Sequence, residues 1–477
     1  YQMSEQGFIY RRVEKQIMDL IDAEAIRPGD KLPSLRKLSS QLSVSISTIS
    51  QAYLELEKKG VLASRERSGF FLAPRALQMP APASRPRPAM IPTVGTRSHL
   101  IQTVLEALGN KELLPFGVAC PAEELLPAKT LARLLNNSLR NNPAQALDYA
   151  PVAGDPDLRR QIALRSLEAG ISVTPDEILI TSGAMEGLSI ALRALTKPGD
   201  NVLIQSPSYF CFLQLLENCG LRAIEIPSST SGIDPQDVQR AIERFAISAA
   251  ILVPNFNNPD GSLTAASQKR EIVELLVSRK IPLVEDDVYG ELYFGEQHPG
   301  SCKSFDSSGN VIYCSSFSKT IAPGYRVGWM IPGRHYSKAL ELKTTTNICT
   351  AAPTQMAIAA FLREGYFERH LRRLRGSIHN QMESLLLSLH RHFPSETRAS
   401  FPNGGASVWV ELPAGIDGVD FFFKAREMGI GLAPGAIFST QEKYDNFIRL
   451  SCTGVWNQEM ENGIESLGAL AKKIARD

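Results

Sequence analysis

Five prolines, Pro80, Pro82, Pro86, Pro88 and Pro92, crowd one short stretch among Ala, Ser and Arg. Each proline removes a backbone donor and fixes φ, so the stretch can extend neither a helix nor a sheet ladder. It reads as an extended, semi-rigid linker over residues 76–98. The chain of 477 residues is longer than one hydrophobic core usually covers. The linker therefore divides it into two units, residues 1–75 and 99–477, and the two are written in different patterns.

Beyond the linker, the short apolar runs Ile178–Ile180, Val202–Ile204, Ala250–Val253 and Pro282–Val284 alternate with helical segments. Strands alternating with helices predict an α/β unit with a largely parallel sheet. After Ser400 the pattern becomes a small α+β unit, with Val408–Leu412 as a strand, and a small C-terminal subdomain is expected from about residue 345. The hydrophobic share of 43% and charged share of 21% belong to ordinary globular protein. The 7 cysteines include no C-x-x-C pair, which predicts reduced cytoplasmic thiols rather than disulfides or zinc; no metal site is expected. The polar N-terminus predicts no secretory signal, and no apolar stretch is long enough to span a bilayer.

Before the linker, Ile9, Val13, Ile17, Leu20 and Ile21 recur at helical spacing, and Pro28-Gly29-Asp30 is expected to end that helix. Ser34 caps a second helix, Leu35 to about Leu42. Ser45 caps a third, Ile46 to about Lys59, with Ile49, Tyr53 and Leu56 inward and Gly60 as its stop. Val61-Leu62 and Phe70-Phe71-Leu72 can pair as a hairpin around Arg65, Arg67 and Gly69. That order of elements is an α-rich winged helix-turn-helix, whose third helix would enter the major groove of double-stranded DNA through Ser45, Ser47 and Thr48. Residues 1–75 hold 12 basic and 9 acidic side chains, a balance of +3, against 39 and 41, or −2, in the remainder. The surplus lies on the side that phosphate contact requires. The run from Pro28-Gly29-Asp30-Lys31-Leu32-Pro33-Ser34-Leu35-Arg36 through Val44-Ser45 to Leu54-Glu55-Leu56-Glu57-Lys58-Lys59-Gly60 resembles the GntR family of bacterial repressors. That resemblance places Arg36 and the start of the third helix on DNA; Ile46 stands where many members carry Arg.

Five segments of the second unit carry chemistry. Ile178-Leu179-Ile180-Thr181 turns through Ser182-Gly183 into a helix, so the amides of Ala184 and Met185 can face a phosphate, although many such turns use glycine only for tightness. Tyr209, after Pro207-Ser208, offers a ring that can stack or simply fill a core. Asn258 lies in a loop at the end of the run Ala250–Pro254, where α/β sheets bind ligands. Glu285-Asp286-Asp287 ends another buried strand, and Tyr289 follows Asp286 by three residues. Ser315-Ser316-Phe317-Ser318-Lys319 sets a lysine among hydroxyls, with Arg326 seven residues on, between two apolar strands. Pyridoxal phosphate needs this set: a lysine for a Schiff base, an acid at the pyridine nitrogen, donors at the 3′-oxygen, and amides with a cation for the phosphate.

Together these segments resemble fold-type I aminotransferases, from about Pro115 to the end. The resemblance implies Lys319 as the catalytic Schiff-base lysine, Asp286 at the pyridinium, Asn258 and Tyr289 at the 3′-oxygen, and Tyr209 stacked on the ring. Ser316, Ser318 and Arg326 would hold the phosphate with the Ala184 and Met185 amides, where many relatives carry Ser-Gln or Ser-Thr. Arg449 matches an arginine for a substrate α-carboxylate, and Tyr149 one that contacts the phosphate across a dimer interface. A GntR winged helix fused through a linker to such a domain is similar to the MocR subfamily over essentially the whole chain. The resemblance implies a cytoplasmic, head-to-tail homodimeric transcription regulator that senses pyridoxal phosphate, or an amino acid, through aldimine chemistry. The alternative is an active aminotransferase that carries a DNA-binding domain.

Overall fold

The computed structural model describes residues 3–22, 26, 30–58, 61–65, 69–72, 79–82, 87–93, 98–106, 110 and 112–476. Three helices, Met3–Asp22, Leu35–Leu42 and Ile46–Lys58, precede an antiparallel hairpin, Leu62–Arg65 with Gly69–Leu72, in register Leu62 to Leu72 and Arg65 to Gly69. The first helix is described as far as Asp22; of the break expected at Pro28-Gly29-Asp30, Pro28 and Gly29 lie outside the described residues. Beyond Asp22, Ile26 is half-buried against the same small core as Val13 and Ile17. Both expected caps form: Ser34 Oγ accepts from the Lys37 amide at 3.3 Å and Ser45 Oγ from the Thr48 amide at 3.1 Å. Val13, Ile17, Ile49, Tyr53, Leu56, Leu62 and Leu72 close one small core. Tyr53 ties it together, with its ring 5.0 Å edge-on from Phe70 and its hydroxyl donating to Pro33 O at 2.9 Å.

The large unit is built on an eight-stranded sheet. Its spatial order is Leu179–Thr181, Gly328–Ile331, Val311–Ser316, Leu283–Asp286, Ala249–Leu252, Asn201–Ser206, Arg222–Ser229 and Gly232–Ile233. Gly328–Ile331 and the edge strand Gly232–Ile233 run against their neighbours, and the rest are parallel. The expected apolar runs fall on these strands within a residue or two. Because the strands are covered on both faces, even Glu285 in their midst is fully buried, and its carboxylate accepts the Cys302 and Lys303 amides at 2.7 and 2.8 Å. Burial pushes Glu285 up to about 8.

The small unit has a four-stranded antiparallel sheet, ordered Arg398–Ala399, Ser407–Glu411, Phe447–Ser451 and Ala433–Pro434. Its aromatic core stacks Trp409 on Phe447 with ring centroids 5.2 Å apart. Within the span read from about residue 345, helix Ala352–Arg363 buries Ile358 and Phe361 in the large unit instead. Helix Tyr366–His392 joins the two cores: Phe367, Leu371 and Ile378 face the large one, Met382, Leu385 and Leu389 the small one. Ile101 and Val104, just after the linker, also pack in the small core. The described linker residues are tied down: the Ala399 amide donates to Pro80 O at 3.3 Å, and Ala89 exchanges bonds of 2.9 and 2.8 Å with Gln441.

Candidate cofactor site

Leu179–Thr181, Asn201–Ser206, Ala249–Leu252, Leu283–Asp286 and Val311–Ser316 point the same way, so their carboxyl ends share one edge of the sheet. The segments leaving that edge line a single cavity. Ala184, Met185, Tyr209, Asn258, Asp286, Tyr289, Ser316, Ser318, Lys319 and Arg326 all border it, together with Cys120, Phe212, Val253, Val288 and Pro323. Ten residues from five separate stretches of sequence thus meet in one place.

At one end lies an anion cradle. Helix Ala184–Leu195 begins after Gly183, which holds φ at 84° and provides no side-chain cap, so the first amides are left for a ligand. A Cβ at Gly183 would lie 2.3 Å from Arg326 Nη2; only glycine lets the guanidinium come so close. Arg326 donates to Ser318 Oγ at 3.3 Å and to Ser182 O at 3.2 Å. At the other end stands Asp286, 4% exposed, whose hydrogen-bond donor among the described residues is the Val288 amide at 3.1 Å. Burial pushes its carboxyl up to about 7. A buried acid without a bonded cation fits a protonated ring nitrogen. Asp287 faces elsewhere, accepting Tyr313 Oη and Asn255 Nδ2, each at 2.9 Å. The structure therefore separates two adjacent acids that the sequence alone leaves equivalent.

Lys319 ends the short 3-10 turn Phe317–Lys319 after its strand. Nζ donates to Ala119 O at 2.8 Å and Cys120 Sγ at 3.3 Å, and lies 5.7 Å from the centre of the Tyr289 ring. Desolvation lowers the Lys319 pKa, but Tyr289 and Cys120 outweigh it and leave the value above that of an ordinary lysine. Asn258 Nδ2 donates to Tyr289 Oη at 3.4 Å, and its Oδ1 accepts from Arg449 Nη1 at 3.2 Å. Arg449 sits outside the cavity wall, 2% exposed, with Nη2 donating to Gly117 O and Nε without a partner among the described residues. Burial lowers its pKa. Tyr149 is not brought to this cavity: it is 76% exposed, beside Leu147 at 90%. Cys120 was missed by sequence reasoning, because Ala119-Cys120-Pro121 carries no motif and reaches Lys319 only through the fold.

On the first unit, Arg36, Ser45 and Ser47 are exposed and Thr48 half-buried, and Ser45 Oγ shares bonds of 2.8 and 2.7 Å with Ser47 and Thr48. The Arg65 side chain and all of Arg67 lie outside the described residues. No helix among the described residues is long and apolar enough to cross a membrane.

Residues 123–467 match the family model for aminotransferase class I and II, and residues 9–72 match that for bacterial regulatory proteins of the gntR family. The HTH-type transcriptional regulator YjiR of Escherichia coli is 37% identical over 96% of this chain and 98% of its own. The 2-aminoadipate transaminase of Thermus thermophilus is 31% identical over 79% of this chain and 95% of its own. The crystal structure of LysN, the α-aminoadipate aminotransferase from Thermus thermophilus in complex with N-(5′-phosphopyridoxyl)-L-leucine, superposes with a TM-score of 0.74 at 31% identity, over 80% of this chain and 97% of that one. Pyridoxal phosphate is accordingly the cofactor, and the glycine-lined cradle, the buried Asp286 and Lys319 fit it. Family model, full-length relative and fold agree: this chain belongs to the class I and II aminotransferases, among the transcriptional regulators of MocR-like architecture that carry a gntR-family domain ahead of the cofactor domain.

Proposed function

We propose that the chain regulates transcription by coupling the state of its cofactor pocket to the DNA affinity of its winged helix. One observation carries this: five separate sequence segments converge on one cavity in the same chain that presents a capped recognition helix. When bound, pyridoxal phosphate supplies an aldehyde that amines can take up and a ring that withdraws electrons. Lys319 presents the amine for attachment. Asp286 holds a proton at the ring nitrogen, while Asn258 and Tyr289 donate to the 3′-oxygen. The amides of Ala184 and Met185, with Ser316, Ser318 and Arg326, hold the phosphate, and Tyr209 stacks on the ring. Arg449 takes the carboxylate of an incoming amino acid once its bond to Gly117 is exchanged. Tyr149, exposed in its own chain, reaches the phosphate of a partner subunit in a head-to-tail MocR dimer. Arg36, Ser45, Ser47 and Thr48, with Arg65 and Arg67 on the wing, meet double-stranded DNA.

The pocket holds what transamination needs, and a transaminase is 31% identical, so enzyme activity is the second reading. Promoter titrations with cofactor-free, cofactor-loaded and amino-acid-treated protein, beside a turnover assay, separate the two. A regulator shows a coupling of roughly 1–3 kcal/mol between pocket and promoter, and Lys319→Ala abolishes both the coupling and borohydride-reducible attachment. Coincident titration curves with fast keto-acid turnover would instead describe an aminotransferase carrying a DNA-binding domain.

A further inference from the structure

We propose that Cys120 and Lys319 form a peroxide-sensitive lock, in which oxidation joins the cysteine sulphur to the lysine nitrogen and withdraws the amine from the cofactor. The lock rests on the reading of Lys319 as the attachment point. Lys319 Nζ already donates to Cys120 Sγ at 3.3 Å and is held on that side by its bond to Ala119 O at 2.8 Å. Cys120 is half-buried and, among the described residues, is the one cysteine on the cavity wall. Cys302, Cys314 and Cys452 are buried, which raises their pKa values and keeps them inert. The strap bearing Cys120 is pinned at both ends: Arg449 Nη2 donates to Gly117 O, Thr453 Oγ1 to Val118 O at 3.0 Å, and the Ala122 amide to Thr453 O at 2.9 Å. Sulphur and nitrogen are thus held in contact rather than meeting by chance. A second feature suits an oxidant. Arg449, 2% exposed, is bonded to the strap through Gly117 O, and its Nε–H has no partner among the described residues, a buried donor for a peroxide oxygen.

The chemistry balances with hydrogen peroxide as the one oxidant. The Cys120 sulphur attacks a peroxide oxygen and the O–O bond breaks, giving the sulfenic acid and one water. The neutral Lys319 amine then attacks sulphur. The S–O bond breaks, and the departing hydroxide leaves as a second water with the proton lost by nitrogen. The product is a sulfenamide, with the cysteine oxidised by two electrons. Two equivalents of a small thiol reverse it, becoming a disulfide while Cys120 and Lys319 return to thiol and amine.

The test uses the full-length, cofactor-free protein with hydrogen peroxide at mildly alkaline pH, where more of Lys319 is neutral. Proteolytic mapping should find the Cys120 and Lys319 peptides joined, with a combined mass about 2 Da below their sum. Borohydride-reducible uptake of pyridoxal phosphate should fall on the order of tenfold and return after dithiothreitol. Cys120→Ala, with Cys120→Ser as a second variant, should take up cofactor equally before and after peroxide. A sulfinic acid at Cys120, or a Cys120–Cys211 disulfide, with Lys319 unmodified would overturn the proposal. A Cys120–Lys319 link with undiminished cofactor uptake would overturn it differently, by showing that Lys319 is not the attachment point.

Discussion

Asp286 shows how one side chain can report its surroundings. Its carboxyl is raised from 3.8 to about 7 by burial, so the folded protein without cofactor holds a proton that the unfolded chain releases. Its contribution therefore weakens folding as pH rises from about 4 to about 7 and is level above that. The full effect is up to about 4 kcal/mol. Asp286→Asn should flatten the fall in melting temperature of cofactor-free protein between pH 5 and pH 8, leaving the share that Glu285, at about 8, adds in the same direction. The same variant should bind cofactor more weakly with a shifted absorbance; an unchanged pH slope and spectrum would remove Asp286 from the site. Arg449 makes a complementary case. Arg449→Ala should lose the promoter response to amino acids while cofactor affinity, read by absorbance titration, changes only severalfold. Arg449→Lys should restore little, because an ammonium cannot form the paired contact of a guanidinium.

Among elements, the recognition helix Ile46–Lys58 is the clearest instance of local sequence deciding local structure. Ser45 caps it, Ile49, Tyr53 and Leu56 bury its inner face, and the exposed N-terminal hydroxyls are left outward. Arg36 projects from the preceding helix, exposed. Arg36→Ala should lower affinity on every DNA sequence and shallow the dependence of log K on log salt by about 1 unit. Fluorescence anisotropy over a salt series measures this, and an unchanged slope would take Arg36 off the phosphate backbone. In the large unit, the equivalent element is the turn at Gly183. Its positive φ strains any side chain at Gly183, and a Cβ there would lie 2.3 Å from the Arg326 guanidinium and displace it, although the sequence alone equally suited a tight turn with no ligand.

For the molecule as a whole, Tyr149 is the informative residue. Expected at the phosphate across a dimer interface, it stands 76% exposed and off the cavity of its own chain. The proposed role therefore depends on a partner subunit. Tyr149→Phe should weaken cofactor binding by roughly tenfold or more, as loss of one hydrogen bond to a charged group costs about 1.5–3 kcal/mol. Sedimentation should show a dimer in both proteins. Unchanged affinity in a dimeric Tyr149→Phe variant would confine the site to one chain.

The winged helix was legible because its rules are local: caps, helical spacing and a hairpin whose partners lie a few residues apart all act within short stretches. The pocket was legible as an ordered set of strand ends, since a parallel sheet gathers the loops at its carboxyl edge wherever they fall in the chain. What sequence could not decide was contact across long separations. Asp286 and Asp287 are neighbours in the chain, and only the packing of Asn255 and Tyr313 against one leaves the other to the cavity. Cys120 meets Lys319 across 199 positions, and Ile101 and Val104 join a core formed mostly by residues beyond Met382. Those pairings follow from which apolar faces bury one another, a balance struck over the whole fold rather than at any one segment.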